Sequence, residues 1–310
     1  MKRLIVLAAA LTTLHTASAR ADLVLHASRV AQAPQVDGVA DGPWANAPSL
    51  TVQVERIPEA IVLANREKQK GKYAKQWEKT DYTKGTAVEL KAVYTDQEVF
   101  FLARWQDPTR DDQHKPWKWK GDQKLGEYAA GSESEDRIAF RFPISGEFSA
   151  NMLAGIEGVH DVWQWKAARS NPAGLIHDKI DRFARAEPKG TFSTHYTVEG
   201  KEVYLSRPDD GGVTPYRTDK IDPFLYRGDL VLQYVATVPD ASDAADVKAK
   251  GVWADGYWLV EIGRKLVTGH PDTDAVFDPG KGSTTAVAVF DHAGDHFHAV
   301  SGVIQLVFDK

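Results

Sequence analysis

The sequence predicts a mainly β fold, an antiparallel β-sandwich with inserted loops and short helices. Three observations predict it. Apolar and polar residues alternate over many short stretches, as on strands with one buried face. Gly, Asp, Asn and Pro punctuate those stretches at close intervals. The chain has no cysteine, so a core must hold it, and nine tryptophans, ten tyrosines and twelve phenylalanines supply one.

The elements follow in order. Residues 1–21 read as an export signal: Lys2 and Arg3, a short apolar run from Leu4 to Leu14, then Ala19-Arg20-Ala21 as a cleavage site. The run is short for a membrane span, so a periplasmic protein cut near Ala21 is expected. Leu23–Ala27 is a first strand. Val36 to Trp44 is turn-rich and ends on an aromatic anchor, and Ser49–Glu55 is the next strand. Pro58–Lys72, charged and Ala-containing, is expected to be a helix. Ala87–Tyr94 and Glu98–Gln106 form a hairpin about a tight turn near Asp96. Arg110–Ala130 is expected to be a long loop. In Asp136–Phe142, Ile138, Phe140 and Phe142 share a face. Asp161–Arg169, Asp229–Ala236, Tyr257–Leu266, Thr284–Phe290 and Val300–Phe308 are later strands, and Arg182–Arg227 is expected to be loops around a hairpin. No repeat or clean linker divides residues 22–310, so one domain is expected. Loops this long are uncommon without a role.

Without Lys2, Arg3 and Arg20 the chain keeps 35 basic residues against 43 acidic ones. That balance argues against nucleic acid or an anionic membrane as partner. No Ser-His-Asp spacing and no nucleotide-binding loop stands out, so no catalysis of its own is expected.

With the initiator removed, Met152 is the only methionine. A thioether is one of few side chains able to ligate haem iron axially, although most methionines fill cores. Without cysteine there is no C-x-x-C-H attachment, so any haem here is a non-covalent haem b.

Three further segments carry a resemblance: Glu135 to Phe140, Asp161 to Arg169 with its Trp163 and Trp165, and Asp255 to Leu266. In this order they resemble the haem-binding domain of the ethylbenzene dehydrogenase gamma subunit and its relatives. The passage Val36 to Pro48 resembles the opening of sandwich domains related to family 9 carbohydrate-binding modules. The gamma-subunit resemblance implies a β-sandwich holding one b-type haem between methionine and lysine. It also implies an electron-transfer role beside a molybdenum and iron–sulfur oxidoreductase or a soluble electron carrier. Carried over, Met152 and Lys265 are the iron ligands, Lys265 facing inward and Arg264 the opposite way. A lysine ligand must be deprotonated, which burial favours. Trp163 and Trp165 share a strand face and pack either on the macrocycle or in the core. Arg137, Lys166 and Arg169 are candidate partners for the haem carboxylates.

Other readings stay open. His160 is an alternative partner for Met152. His292, His296 and His298 form either a metal site or a polar turn. Asp107, Asp111 and Asp112 beside His114 either hold calcium or form a solvated acidic loop, and Asp272, Asp274 and Asp278 pose the same choice. A carbohydrate-binding module would use Trp117 and Trp119 as stacking platforms. A structural subunit would have kept the fold and lost the cofactor.

Overall fold

The computed structural model describes residues 22–56, 85–122, 126–198, 200–208, 210–237, 243–293 and 298–310. The strands are β1 (Leu23–Arg29), β2 (Ser49–Arg56), β3 (Thr86–Tyr94), β4 (Glu98–Gln106), β5 (Trp117–Trp119), β6 (Tyr128–Ala130) and β7 (Arg137–Gly146). There follow β8 (Gly158–Lys166), β9 (His177–Ala184), β10 (Thr194–Val198), β11 (Lys201–Ser206), β12 (Tyr216–Thr218), β13 (Leu230–Val231) and β14 (Tyr234–Ala236). The last are β15 (Lys248–Ala254), β16 (Tyr257–Lys265), β17 (Ser283–Phe290), β18 (Ala299–Val300) and β19 (Ile304–Phe308). The helical turns among the described residues are short 3-10 turns at Gly42–Ala45, Asn171–Ala173 and Asp243–Ala245.

One ladder runs β10-β11-β9-β8-β7-β17-β18-β2-β3-β4-β16-β15 and folds into two facing layers. It passes between layers at β2 and β17: Ser283–Thr285 pair with β19, whereas Ala286–Phe290 pair with β7. Most pairings are antiparallel, but β1 runs parallel to both β19 and β3, which an all-antiparallel expectation did not include.

The alternation that marks the strands also fills the space between the layers. Phe140 and Phe142 of β7 and Trp163 of β8 meet Phe101 of β4 at ring separations of 5.6, 5.6 and 5.9 Å. Trp165 sits 5.0 Å from Trp258 and 6.3 Å from Trp105. Fully burying a residue of this size removes ~150–250 Å² from water, an upper bound of roughly 4–6 kcal/mol. Trp165 lies flat against β15 only because position 251 is glycine, where a Cβ would stand 2.2 Å from the indole.

The turn-rich passage is tied down by one buried carboxylate. Glu261 of β16 accepts from Trp44 Nε1 at 2.6 Å, Gly38 N at 2.7 Å and Asp37 N at 3.0 Å. This explains an aromatic anchor behind a run of turn residues.

Some expectations are corrected. Asp229–Ala236 is two short pieces on different small sheets, β13 against β5 and β14 against β12. Arg110–Ala130 contains the short hairpin pair β5 and β6. Strands β9 and β15 were not foreseen. The helix expected at Pro58–Lys72 and the export signal at 1–21 lie outside the described residues.

Candidate functional site: a basic pocket on the covered face of the second layer

Strands β17, β7, β8 and β9 turn one face to the core and the other toward segments that cover it. On the covered face, Ala139 stands opposite Ala288 on one side and Gln164 on the other, and Arg141 opposite Ala286 and Val162. Gln164 is in turn opposite His177, and Val162 opposite Lys179. These side chains are buried although they point away from the core: Arg141 is 6 %, Lys166 3 % and His177 6 % exposed. The result is a cavity of about 350 Å³ with a floor of small residues, Ala139, Ala286 and Ala288. That volume lies at the lower end of the ~300–1,000 Å³ usual for ligand pockets.

Met152 enters this cavity from the β7–β8 connection. The connection is locally determined. Asn151 Oδ1 accepts from Leu153 N at 2.9 Å, and the Arg141 guanidinium holds the carbonyls of Ser149 and Ala150. Gly155 sits at φ +72°, and a Cβ there would stand 2.9 Å from the Lys201 side chain, so glycine is required. Met152, half-buried, packs on the cluster of Ile156, Phe183, Tyr196, Val203 and Leu205.

Lys166 ends β8 in the same cavity. Its Nζ donates to Tyr216 Oη at 2.8 Å and shares a hydrogen bond with His177 Nδ1. Burial, then Lys179 and Arg169, hold its pKa well below the ordinary lysine value. In its neutral form this amine carries a lone pair that an ammonium lacks. Arg137, Arg141, Arg169, Lys179 and Arg207 also line the cavity, against the single carboxylate of Asp181. Arg169 is partly neutralised by the buried Glu135, and Arg137 donates to the Ala293 carbonyl. In a chain of net charge −5 this concentration of cations selects anionic ligands.

The structure brings Met152, Arg137, Lys166 and Arg169 together and leaves the other candidates outside. Lys265 is exposed at the end of β16, opposite Glu98, and does not line the Met152 cavity. Its neighbour Arg264, expected to point outward, is the inward residue, 1 % exposed and paired with Asp161 at 2.8 Å. Trp163 and Trp165 are fully buried between the layers, on the opposite face of β8, so they serve the core. His160 is buried outside the cavity lining, its Nε2 on the Glu147 carbonyl at 2.8 Å, and burial lowers its pKa to about 4. His298 lines the cavity beside Phe290, His292 turns to Asp291, and His296 lies outside the described residues. Trp117 and Trp119 are partly buried, and Trp119 is edge-packed against Tyr128 and Tyr226 rather than open as a platform. Tyr216, which sequence reasoning missed, arrives on β12, where a polar loop was expected.

The sandwich thus places Met152, Lys166 and a ring of cationic side chains around one cavity. The chain belongs to the ethylbenzene dehydrogenase family, whose model matches residues 41–301. No curated protein matches. Among solved structures, a family 9 carbohydrate-binding module from Caldicellulosiruptor kristjanssonii in complex with cellotriose is similar at 11 % identity and TM-score 0.35, over 92 % of this chain and 94 % of that one. A carbohydrate-binding protein of Bacteroides uniformis, described as putative, is similar at 8 % identity and TM-score 0.37, over 92 % and 99 %. No helix among the described residues is long and apolar enough to cross a membrane.

Proposed function

We propose that this protein is an exported electron-transfer subunit that binds one non-covalent haem b, with Met152 and Lys166 as the iron ligands. It serves a molybdenum and iron–sulfur oxidoreductase or a soluble electron carrier in the periplasm. Residues 22–310 act as one unit in this reading. The observation that carries it is that Met152 and a buried lysine, its pKa held well below the ordinary lysine value, line one cavity ringed by cations. The donor set fits the group: a soft thioether, an amine that burial shifts toward its neutral, lone-pair-bearing form, and guanidinium groups for carboxylates. Family membership supports the same reading.

When bound, the haem would supply a one-electron carrier. The chain's own residues do the rest. Tyr216 and His177 hold the Lys166 amine in place, and burial, then Lys179 and Arg169, favours its neutral form. Arg137, Arg169 and Lys179 are placed to pair with carboxylates in the cavity. The Arg141 guanidinium fixes the connection that carries Met152. With Met152 and Lys166 both holding the iron, the bound haem would be suited to electron transfer rather than oxygen chemistry.

The test is haem content by the pyridine haemochrome assay, with the spectrum of the reduced protein. The reading expects about one haem b per chain, and weaker haem retention in Met152→Ala. No haem uptake by the wild-type chain, or retention unchanged in Met152→Ala, overturns it.

A further inference from the structure

We propose that Asp107, Asp136 and Asp291, with Asp111 beside them, form a calcium site at one end of the sandwich, separate from the basic pocket.

The chain brings these residues from three places. Asp107 follows β4, Asp111 and Asp136 lie in the segment leading to β7, and Asp291 follows β17. Asp107, Asp136 and Asp291 each offer an oxygen, and these atoms lie within 4.8 Å of one another. Oxygens bound to one Ca²⁺ at about 2.3–2.6 Å stand at most about 5 Å apart, so a single ion can reach all of them. Asp111 and His292 form an overlapping group with Asp291.

A second observation points to a ligand. Asp107 is 2 % exposed, its Oδ1 accepts from Thr109 N at 3.1 Å, and its Oδ2 has no hydrogen-bond partner. A buried carboxylate oxygen without a donor costs free energy unless a cation or a proton meets it. Asp136 is fully buried and is held rigidly by His292 N, Asp111 N and Trp258 Nε1. Burial with Asp291 pushes the Asp107 pKa to about 6, and burial with Asp107 pushes that of Asp136 to about 7. His292 is the basic side chain beside the group, and it is half-exposed and bonded to Asp291. Asp291 and Asp111 are about one-third exposed, which leaves a path for the ion and room for water to complete its shell. Asp112 and His114 do not join: Asp112 pairs with Arg110 at 2.8 Å, and the His114 ring packs against Tyr234.

The site contains its own reporter, since Trp258 Nε1 lies 2.9 Å from Asp136 Oδ2. Terbium takes the place of calcium and emits when a nearby tryptophan is excited. After EDTA treatment, the full chain titrated with Tb³⁺ is expected to show saturable emission that Ca²⁺ competes away. Asp107→Asn keeps the acceptor for Thr109 and is expected to weaken binding at least about tenfold, as is Asp291→Asn at the more exposed position. Ca²⁺ is expected to raise the melting temperature of the wild type and not of Asp107→Asn. Absent emission, or emission unchanged in both variants, overturns the proposal and leaves a proton as the partner of Asp107. Neither result depends on haem.

Discussion

Arg264 and Lys265 are adjacent, both basic and on one strand, and the structure assigns them opposite costs. The Arg264 side chain is fully buried; it bonds Asp161 at 2.8 Å, lies 3.4 Å from Asp274, and stacks 4.7 Å over Trp163. Replacing it by methionine keeps volume and leaves Asp161, itself 0 % exposed, with Ala275 N at 2.9 Å as its donor. Breaking a buried pair from one side costs about 3–5 kcal/mol, which is roughly 6–20 °C in melting temperature for a domain of this size. Lys265→Met removes an exposed charge and is expected to stay within about 0.5 kcal/mol. The pH dependence has a definite sign. Without the guanidinium, Asp161 is held further above its unfolded pKa, so the folded state binds the extra proton. Stability from that proton is present at low pH and lost as pH rises through the folded value. Arg264→Met is therefore expected to lose less at about pH 5 than at about pH 7.5. Urea unfolding followed by tryptophan fluorescence measures all three quantities. A loss under about 1 kcal/mol in Arg264→Met, or equal losses in both variants, would refute the reasoning.

Two more predictions concern the pocket rim and the acidic cluster. Gly155→Ala places a Cβ at φ +72° against Lys201, so a loss of about 1–2 kcal/mol in urea unfolding and weaker haem retention are expected. In EDTA, Asp107 and Asp136, with pKa values raised to about 6 and about 7, contribute stability below their unfolded pKa. That contribution, at most on the order of 3 kcal/mol for Asp107 and about 4 kcal/mol for Asp136, is lost as pH rises through those values. A melting temperature in EDTA that does not fall between about pH 4.5 and 7.5 would contradict this.

The central strands were legible because their alternation matches a face buried in the core. Ala87–Tyr94 is observed as Thr86–Tyr94, and Glu98–Gln106 is unchanged. Strand β9 was not legible, because His177, Asp178, Lys179, Asp181 and Arg182 leave Ile180 and Phe183 as its buried apolar residues, and the run reads as solvated polar chain. His177 and Asp181 are polar and buried at once because loops cover their face, and strand-scale alternation carries no information about coverage. The same cause kept Lys166 from being read as an iron ligand. Lys166 shares its face with Val162 and Gln164, opposite Trp163 and Trp165. That parity was readable, but it points to solvent unless a cover is known. The long insertion Arg182–Arg227 was the one hint of such a cover, and it supplies Tyr216 and Arg207 to the pocket. Arg264 was misplaced because the sequence does not reveal Asp161 and Asp274 waiting inside to pair with it.

The central claim is that Lys166, with Met152, holds the iron. The most direct test is the oxidised and dithionite-reduced absorption spectrum of the haem-loaded protein beside Lys166→Leu and Lys265→Leu. A six-coordinate low-spin spectrum is expected in the wild type and in Lys265→Leu, and loss of that form in Lys166→Leu. A low-spin spectrum that survives in Lys166→Leu, or disappears in Lys265→Leu, contradicts the claim.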